Sequence, residues 1–181
     1  MRENIRYITH CSLFATLLCI GAAIRVPMPA VTVTMQVLFV ILSGMILGKN
    51  KAFLSVLLYV GLGLLGVPVF ASGGGIQYVL HPTFGYIIGF LVASYVVGFI
   101  CESKSDTKGF VLSGFSGLGI IHLCGIIYYY LITRFIVGQE ISLEYIFYYC
   151  FLTTIPGDVF SVIVAIILSR QLRRADVCNF Y

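Results

Sequence analysis

A single carboxylate, Asp158, stands inside an apolar stretch of this sequence, IPGDVFSVIVAIILSR. Acidic residues in such stretches are costly to bury and usually mark a substrate or ion site. The chemistry of a carboxylate there is to accept hydrogen bonds from the N–H groups of a polar ligand. Together with Pro156, Asp158 also fits the start of a helix, where an acid accepts free backbone N–H groups. Both interpretations stay open at the level of sequence.

A second group of polar side chains precedes another apolar block, around the segment HPTFGY. The group consists of Gln77, His81, Thr83 and Tyr86. Each of them singly also fits a loop residue or an interfacial anchor. His81 has no partner at metal-ligand spacing, so neither a metal nor another cofactor is expected. A small intramembrane enzyme using Asp158 and His81 is the catalytic alternative, but an acid and a histidine on separate segments form a poor catalytic constellation.

Two loop segments carry features that suit either ligand contact or ordinary loop structure. A triple glycine ends in Gly74 and Gly75, where the backbone can approach a ligand closely or simply form a flexible turn. Arg25, in AAIRVPMPAVTVTMQ, fits either contact with an anionic ligand or snorkelling to the membrane surface. Pro27 and Pro29 favour an extended segment that can cover a pocket.

These residues must be positioned by helices in a lipid bilayer. Of 181 residues, 60% are hydrophobic and 10% charged, and the mean hydropathy is +1.04, whereas about 25% of residues are charged in soluble domains. Apolar blocks occur near 8–24, 33–48, 52–65, 83–101, 110–133 and 156–170. Their continuous apolarity lacks the alternation of a membrane β-barrel. We therefore expect an all-α membrane protein, one integral domain over residues 1–181 with six transmembrane helices.

Basic residues predict how these spans are oriented. With the loops assigned alternately to two sides, nine of the eleven Lys and Arg residues fall on one side, and only Arg25 and Arg134 on the other. Basic residues near span ends stay cytoplasmic, so both termini of this multi-pass protein are expected on the cytoplasmic side of a prokaryotic cell membrane. The net charge of +4 reflects this asymmetry, and no nucleic-acid partner is expected. Segments 25–32, 66–82 and 134–155 then face outward and would build a site open to the exterior.

The first apolar block also carries a stripe of small residues in two registers, Ser12/Thr16 and Ala15/Cys19. Small residues at this spacing let helix backbones approach each other in membranes. The stripe can pack internally or dock another membrane protein, and it would be the one functional surface of a structural subunit without a ligand. Inside the fifth block, His122 is expected to form a hydrogen bond between helices. The six cysteines include no Cys-x-x-Cys pair and are interpreted as small apolar residues.

Four segments together resemble the BioY family, the biotin-specific substrate-binding (S) components of energy-coupling factor (ECF) transporters. The segments are IRVPMPAVTVTMQVLFVILSGMILG, LLYVGLGLLGVPVFASGGG, HPTFGYIIGF and IPGDVFSVIVA. They are similar to the family in order and spacing over nearly the entire chain. The resemblance implies a six-helix S-component fold that captures biotin from outside without catalysis. It also implies partners, namely a transmembrane T subunit and two cytoplasmic ATPases.

The resemblance also implies roles for individual residues. Asp158 would accept hydrogen bonds from the N–H groups of the biotin ureido ring, and the amide of Gln77 would donate or accept there. Tyr78 and Tyr86 would supply apolar walls for the rings and tail. The T subunit would dock on the small registers of the first span, where this chain has replaced some of the family's alanines.

One position departs from the family pattern. Relatives typically carry a lysine three residues after the aspartate, available for the carboxylate of biotin, whereas this chain has Ser161. The alternatives for that carboxylate are Arg25, His81, and hydroxyl groups or water at the cavity mouth. A charge-assisted hydrogen bond contributes about 1.5–3 kcal/mol. The departure therefore predicts weaker biotin binding, or a biotin analogue or another small vitamin as the ligand.

Overall fold

The computed structural model describes residues 2–28, 30–104 and 106–174, which form a helical bundle. Its helices are α1 (Arg2–Ala23), α2 (Gln36–Leu47), α3 (Lys49–Leu64), α4 (Phe84–Ser103), α5 (Thr107–Phe135), α6 (Leu143–Ile146) and α7 (Ile155–Arg174). A 3₁₀ turn, Ile76–Leu80, precedes α4, and a π-helical turn, Phe147–Leu152, follows α6. Strands β1 (Arg25–Val26) and β2 (Val33–Thr34) pair as an antiparallel hairpin between α1 and α2.

Each predicted apolar block lies largely within one of the longer helices, and the mostly helical class predicted from composition is confirmed. In lipid, backbone N–H and C=O groups must be satisfied within the element, which favours unbroken helix through these runs. The helical segments long and apolar enough to cross a bilayer are Ile5–Ala23, Phe84–Ser103, Thr107–Phe135 and Glu144–Arg173. Helix α2 has only 12 residues, a length of about 18 Å.

The short helix α2 occupies the centre of the bundle. Eleven of its twelve residues are buried, and it packs against α1, α3, α4, α5 and α7. Gly48 has a φ of 78°, a conformation that favours glycine, and this residue lets the chain pass directly from α2 into α3. Because its neighbours enclose α2, its length does not have to match the thickness of the bilayer.

Helices α4 and α5 form the most extensive pairing in the bundle. A Cβ atom on Gly89 of α4 would lie 2.9 Å from Ile121 Cα of α5. A Cβ atom on Gly125 of α5 would lie 2.5 Å from the ring of Tyr86. Small residues permit such close approach of helices in membranes. The glycines thereby hold Tyr86 against the middle of α5.

Different contacts define the two ends of the bundle. At one end, Lys49 forms an ion pair with Glu102, with 3.1 Å between Nζ and Oε2. At the same end, Arg173 Nη2 donates to the carbonyl of Met45 at 3.1 Å. At the opposite end, the β-hairpin and the segment 66–82 meet the first turns of α4 and α7. The candidate site lies at this second end.

Candidate functional site

A cleft lies between the hairpin end of the bundle and the helices α2, α4, α5 and α7. It encloses about 600 Å³ of empty space, part of which is open to solvent. Its lining residues are Val31, Thr32, Val33, Thr34, Gln36, Val37, Ala71, Ser72, Tyr78, Thr83, Tyr86, Ile87, Phe90, Ile121, Thr154 and Asp158. Among these described residues, Asp158 is the one charged group. Apolar walls with a few polar groups are typical of a site for a small molecule.

Asp158 belongs to the first turn of α7 and is buried, with 6% of its surface exposed. Its backbone N–H donates to the carbonyl of Thr154 at 3.1 Å, so the residue already lies within helical hydrogen bonding. Its carboxylate borders the cleft, and Oδ2 lies 3.3 Å from Nε2 of His122 on α5. Of the two interpretations that the sequence left open, this geometry favours a binding group.

His122 forms the hydrogen bond between helical segments that its sequence position predicts. Its Nε2 lies 3.0 Å from Thr154 Oγ1, and its Nδ1 lies 3.1 Å from the carbonyl oxygen of Leu118, one turn earlier on α5. The rings of Tyr86 and Phe151 pack edge-on against the imidazole. In the ranges that the structure describes, no group of three or more His, Cys, Asp or Glu side chains could hold a metal ion. The imidazole also faces the buried acid, with Nε2 3.3 Å from Asp158 Oδ2.

Hydroxyl groups line the side of the cleft formed by α4. Tyr86 OH donates to the carbonyl of Cys150, in the π-helical turn, at 2.9 Å. Thr83 Oγ1 lies 2.7 Å from His81 Nδ1 and 3.2 Å from Tyr78 OH. Burial lowers the pKa of the His81 imidazole from an ordinary value of about 6.5, so this ring is neutral at neutral pH. His81 contacts the cleft only through Thr83 and by stacking on Tyr78.

Gln36, at the start of α2, is a cleft residue that the sequence analysis missed. Its Nε2 donates to Tyr59 OH at 2.6 Å, and its Oε1 accepts from Thr34 Oγ1 at 3.1 Å. Tyr59 OH in turn donates to the carbonyl of Val69 at 3.1 Å. This chain of bonds joins the hairpin, α2, α3 and the following loop. An amide that opens an apolar block is the signal that could have identified the residue.

The glycine segment forms a tight loop beside the cleft, the turn that is one of its two predicted roles. The side chain of Gln77 is exposed, and its Nε2 donates to the carbonyl of Gly74 at 2.8 Å. A Cβ atom on Gly74 would collide with the carbonyl of Val67. The N–H of Gly75, whose φ is 104°, donates to the carbonyl of Gly63 at 2.7 Å. The glycines allow the loop to fold back tightly on the end of α3, and Gln77, Gly74 and Gly75 lie outside the cleft lining.

Arg25 and Ser161 also lie outside the lining. Arg25 is exposed on β1, and its Nη1 donates to the carbonyl of Ala71, which is a lining residue. This bond ties the hairpin to the glycine loop. Ser161 is buried one turn after Asp158, and its Oγ donates to the carbonyl of Gly157 at 3.0 Å. The structure thus brings together four residues predicted to contact the ligand, Asp158, Tyr86, Thr83 and Tyr78.

The two small registers of α1 face different surroundings. Ala15 is buried with 5% exposure, and Cys19 packs against the same core. Ser12 and Thr16 are exposed, and Thr16 Oγ1 donates to the carbonyl of Ser12 at 2.9 Å. The Ala15/Cys19 register therefore packs internally, whereas the Ser12/Thr16 register lies on the outer surface of the bundle.

The fold is similar to one already solved for a component of a membrane transporter. It is similar to a solved structure described as the "Crystal structure at 2.1 A of the S-component for biotin from an ECF-type ABC transporter". The TM-score is 0.82, and the match covers 96% of this chain and 93% of that one at 23% sequence identity. At this identity, the similarity establishes a shared S-component fold.

Sequence comparison identifies the family. The profile of the BioY family matches residues 1–176. A probable biotin transporter BioY of Lysinibacillus sphaericus is 39% identical over 163 residues, which are 89% of this chain and 83% of the relative. The biotin transporter BioY of Thermotoga maritima is 33% identical over 176 residues, 96% of this chain and 99% of the relative. The chain belongs to the BioY family.

Proposed function

We propose that this chain captures biotin as the substrate-specific component of an ECF-type transporter. The observation that carries this proposal is the family match over residues 1–176. The cleft supports it, because apolar walls surround one buried acid at one end of the bundle. The role is one of binding and uptake, and the proposed function includes no catalytic step.

The chemistry of the cleft suits the cyclic urea of biotin. That ring offers two N–H donors and one carbonyl acceptor. Asp158 supplies the acceptor, and the hydroxyl and amide groups of Thr34 and Gln36 supply further donors and acceptors on the side of α2. The sulfur-containing ring and the aliphatic chain bury apolar surface against residues such as Val37 and Ile87. Gln77 lies outside the lining, so Gln36 is the amide that we propose for the ring.

The carboxylate of biotin needs a separate partner in this chain. Among the described lining residues there is no Lys or Arg, and Ser161 bonds to its own helix. Arg25 donates to the carbonyl of Ala71 at the cleft, which makes it the basic residue that we propose for the carboxylate. Hydroxyl groups of Thr32 and Ser72 can share this contact.

We propose that the bundle crosses the cell membrane six times with both termini in the cytoplasm. Four helical segments have the length and apolarity for this, and α2 and α3 would complete the set as shorter spans. The excess of Lys and Arg in the loops on one side supports the orientation. The cleft, at the end opposite the Lys49–Glu102 pair, would then open to the exterior.

The energy for uptake is proposed to come from partners. The sequence contains no Gly-x-x-x-x-Gly-Lys phosphate-binding motif, so ATP would be used only by the two cytoplasmic ATPases. A transmembrane T subunit would dock on α1. The exposed Ser12/Thr16 register is the surface that we propose for this contact, since Ala15 and Cys19 already pack internally.

A binding isotherm tests the proposed function. Purified full-length protein in detergent is titrated with biotin and, in parallel, with other B vitamins. We expect tight binding of biotin and none of the other vitamins at comparable concentrations. Binding of another vitamin or of a biotin analogue in preference to biotin would assign the cleft a different substrate. Turnover of a substrate by the isolated chain would instead favour an enzyme.

A further inference from the structure

A buried histidine lies directly behind the acid of the proposed biotin site. His122 and Asp158 have exposures of 3% and 6%, and 3.3 Å separates Nε2 from Oδ2. Asp158 borders the cleft, whereas His122 is not among its lining residues. His122 is therefore placed to influence a ligand through Asp158 rather than by touching it.

Hydrogen bonding restricts the protons that this pair can carry. Nδ1 of His122 lies 3.1 Å from the carbonyl oxygen of Leu118, and a carbonyl only accepts, so Nδ1 carries a hydrogen. A bare Nε2 facing an ionised Asp158 would place two lone pairs 3.3 Å apart. One proton must therefore lie between the two side chains. It makes either an imidazolium with a carboxylate or a neutral imidazole with a carboxylic acid.

Thr154 favours the charged arrangement. Its Oγ1 can donate to the carbonyl of Phe151 at 3.1 Å or of Cys150 at 3.3 Å. A hydroxyl that donates its one hydrogen to the backbone can only accept from His122 Nε2, which lies 3.0 Å away. Nε2 then carries a hydrogen as well as Nδ1. An imidazolium then donates through Nδ1 to the carbonyl of Leu118, and its single Nε2 hydrogen is shared between Thr154 and the acid.

The described lining of the cleft contributes no competing charge, since Asp158 is its one charged group. The rings packed against His122 belong to Tyr86, whose OH donates to a backbone carbonyl, and to Phe151. A buried carboxylate is tolerated when it is paired and hydrogen-bonded. His122 supplies that pairing from α5. Ser161 lies on α7 with the acid and has no charge to offer it.

We propose that His122 is a positioning residue for ligand binding. As an imidazolium it engages Oδ2 of Asp158 and keeps the side chain a carboxylate. Oδ1 then remains to accept an N–H group of the cyclic urea. This inference rests on the proposed function, and it adds a residue outside the cleft that determines the strength of the acceptor inside it.

A double-mutant cycle on the full-length protein tests the proposal by titration with biotin. We expect His122→Gln to weaken binding by about tenfold and the combination with Asp158→Asn to be no weaker than Asp158→Asn alone. His10→Gln, on α1 and outside the cleft lining, is the matched histidine control and should bind like the wild type. Wild-type affinity in His122→Gln, or losses that simply add, would overturn the inference. A wild-type protein that does not bind biotin would overturn the proposed function, and this inference with it.

¹⁵N NMR of the protein without ligand shows which ring nitrogens of His122 carry a proton. The chain has three histidines, so ¹⁵N-histidine labelling gives few signals, and His10→Gln and His81→Gln assign His122 by elimination. We expect both ring nitrogens of His122 to carry protons in the wild type. In Asp158→Asn, Nε2 should lose its proton because the counter-charge is gone. A bare Nε2 in the wild type, or identical spectra in the two proteins, would overturn the proposal.

Discussion

Asp158 shows how a charged side chain is kept inside an apolar bundle. An unpaired buried carboxylate costs several kcal/mol, but here Oδ2 lies 3.3 Å from His122 Nε2. Asp158 also borders a cleft that combines apolar side chains with hydroxyl and amide groups. The carboxylate is therefore paired with His122 and can still accept a hydrogen bond from a ligand in the cleft. Its position in the first turn of α7 allows both contacts.

We expect Asp158→Asn to weaken biotin binding by at least about tenfold, or ~1.4 kcal/mol. Asparagine keeps the shape of the side chain but replaces one acceptor with an NH₂ donor. Calorimetric titration measures the affinity, and thermal unfolding checks that the protein is folded. Glu102→Gln makes the same change in the ion pair at the opposite end of the bundle and should bind normally. An unchanged affinity in Asp158→Asn would remove the acid from the site.

Two amides can be compared directly as ligand partners. We expect Gln36→Leu to weaken biotin binding by about threefold to tenfold, the value of one neutral hydrogen bond, because Gln36 lines the cleft. Gln77→Leu should have a smaller effect, since that side chain is exposed and bonded to Gly74. The same titration decides between them. A larger loss for Gln77→Leu would restore the role that the family resemblance implies for it.

Arg25→Ala should reduce the affinity for biotin more than the affinity for biotinamide. The substitution removes the bond between Arg25 and Ala71 whichever ligand is bound. Only biotin also loses a charge-assisted bond to its carboxylate, which contributes about 1.5–3 kcal/mol. Arg134 is the other basic residue predicted on the outer side, and Arg134→Ala serves as the control. This variant should show the same ratio of affinities for biotin and biotinamide as the wild type. Equal losses for the two ligands would show that Arg25 does not bind the carboxylate.

At the scale of helices, close packing of α4 on α5 positions one wall of the cleft. Gly89 and Gly125 leave no space for a side chain between the helices. Tyr86 is consequently held against α5 while its OH donates to Cys150. The hairpin and the glycine loop are joined separately through Arg25 and Ala71. The cleft is thus bounded by rigid helices on one side and by loops on the other.

Gly89→Ala should destabilise the protein by about 1–3 kcal/mol, the usual cost of overpacking a filled interior. The added Cβ would lie 2.9 Å from Ile121 Cα and 3.0 Å from its carbonyl oxygen, and backbone atoms cannot easily move aside. The midpoint of thermal unfolding in detergent measures the effect. Gly119→Ala, on the same pair of helices but with open space around it, should leave the midpoint nearly unchanged. Equal midpoints for the two variants would contradict the packing argument.

At the scale of the whole molecule, the two ends of the bundle differ in chemistry. One end holds the Lys49–Glu102 pair and Arg173, and the other holds the cleft. Helix α1 lies at the side with an exposed small register, Ser12/Thr16. The proposed function assigns ligand binding to the cleft end and docking of the membrane partner to this separate lateral surface. Binding and coupling should therefore be separable by substitution.

Thr16→Leu should impair assembly with the T subunit while leaving biotin affinity unchanged. A large side chain on the exposed register prevents close approach of a partner helix, and Thr16 is not among the residues that line the cleft. Co-purification of a co-expressed T subunit measures assembly, and titration measures binding. Thr16→Ser keeps the residue small and should assemble normally. Normal assembly of Thr16→Leu would place the docking surface elsewhere.

Composition by itself determined that the chain is a helical membrane protein, because lipid permits few other ways to satisfy the backbone. The isolated acid in an apolar block also identified Asp158 as a site candidate. The family resemblance named a ligand, and the family is confirmed. These inferences depend on local composition and order along the chain, which a sequence displays directly.

Only the tertiary structure decided which residues share the cleft. His122 and Asp158 lie on different helices, and Gln36 reaches the same site from a third. A helix that is apolar on all sides carries no periodic pattern to show which face is turned inward, so rotation of each helix about its axis is settled by packing. The same reason explains why Ser161, one turn after Asp158 on α7, lies outside the lining.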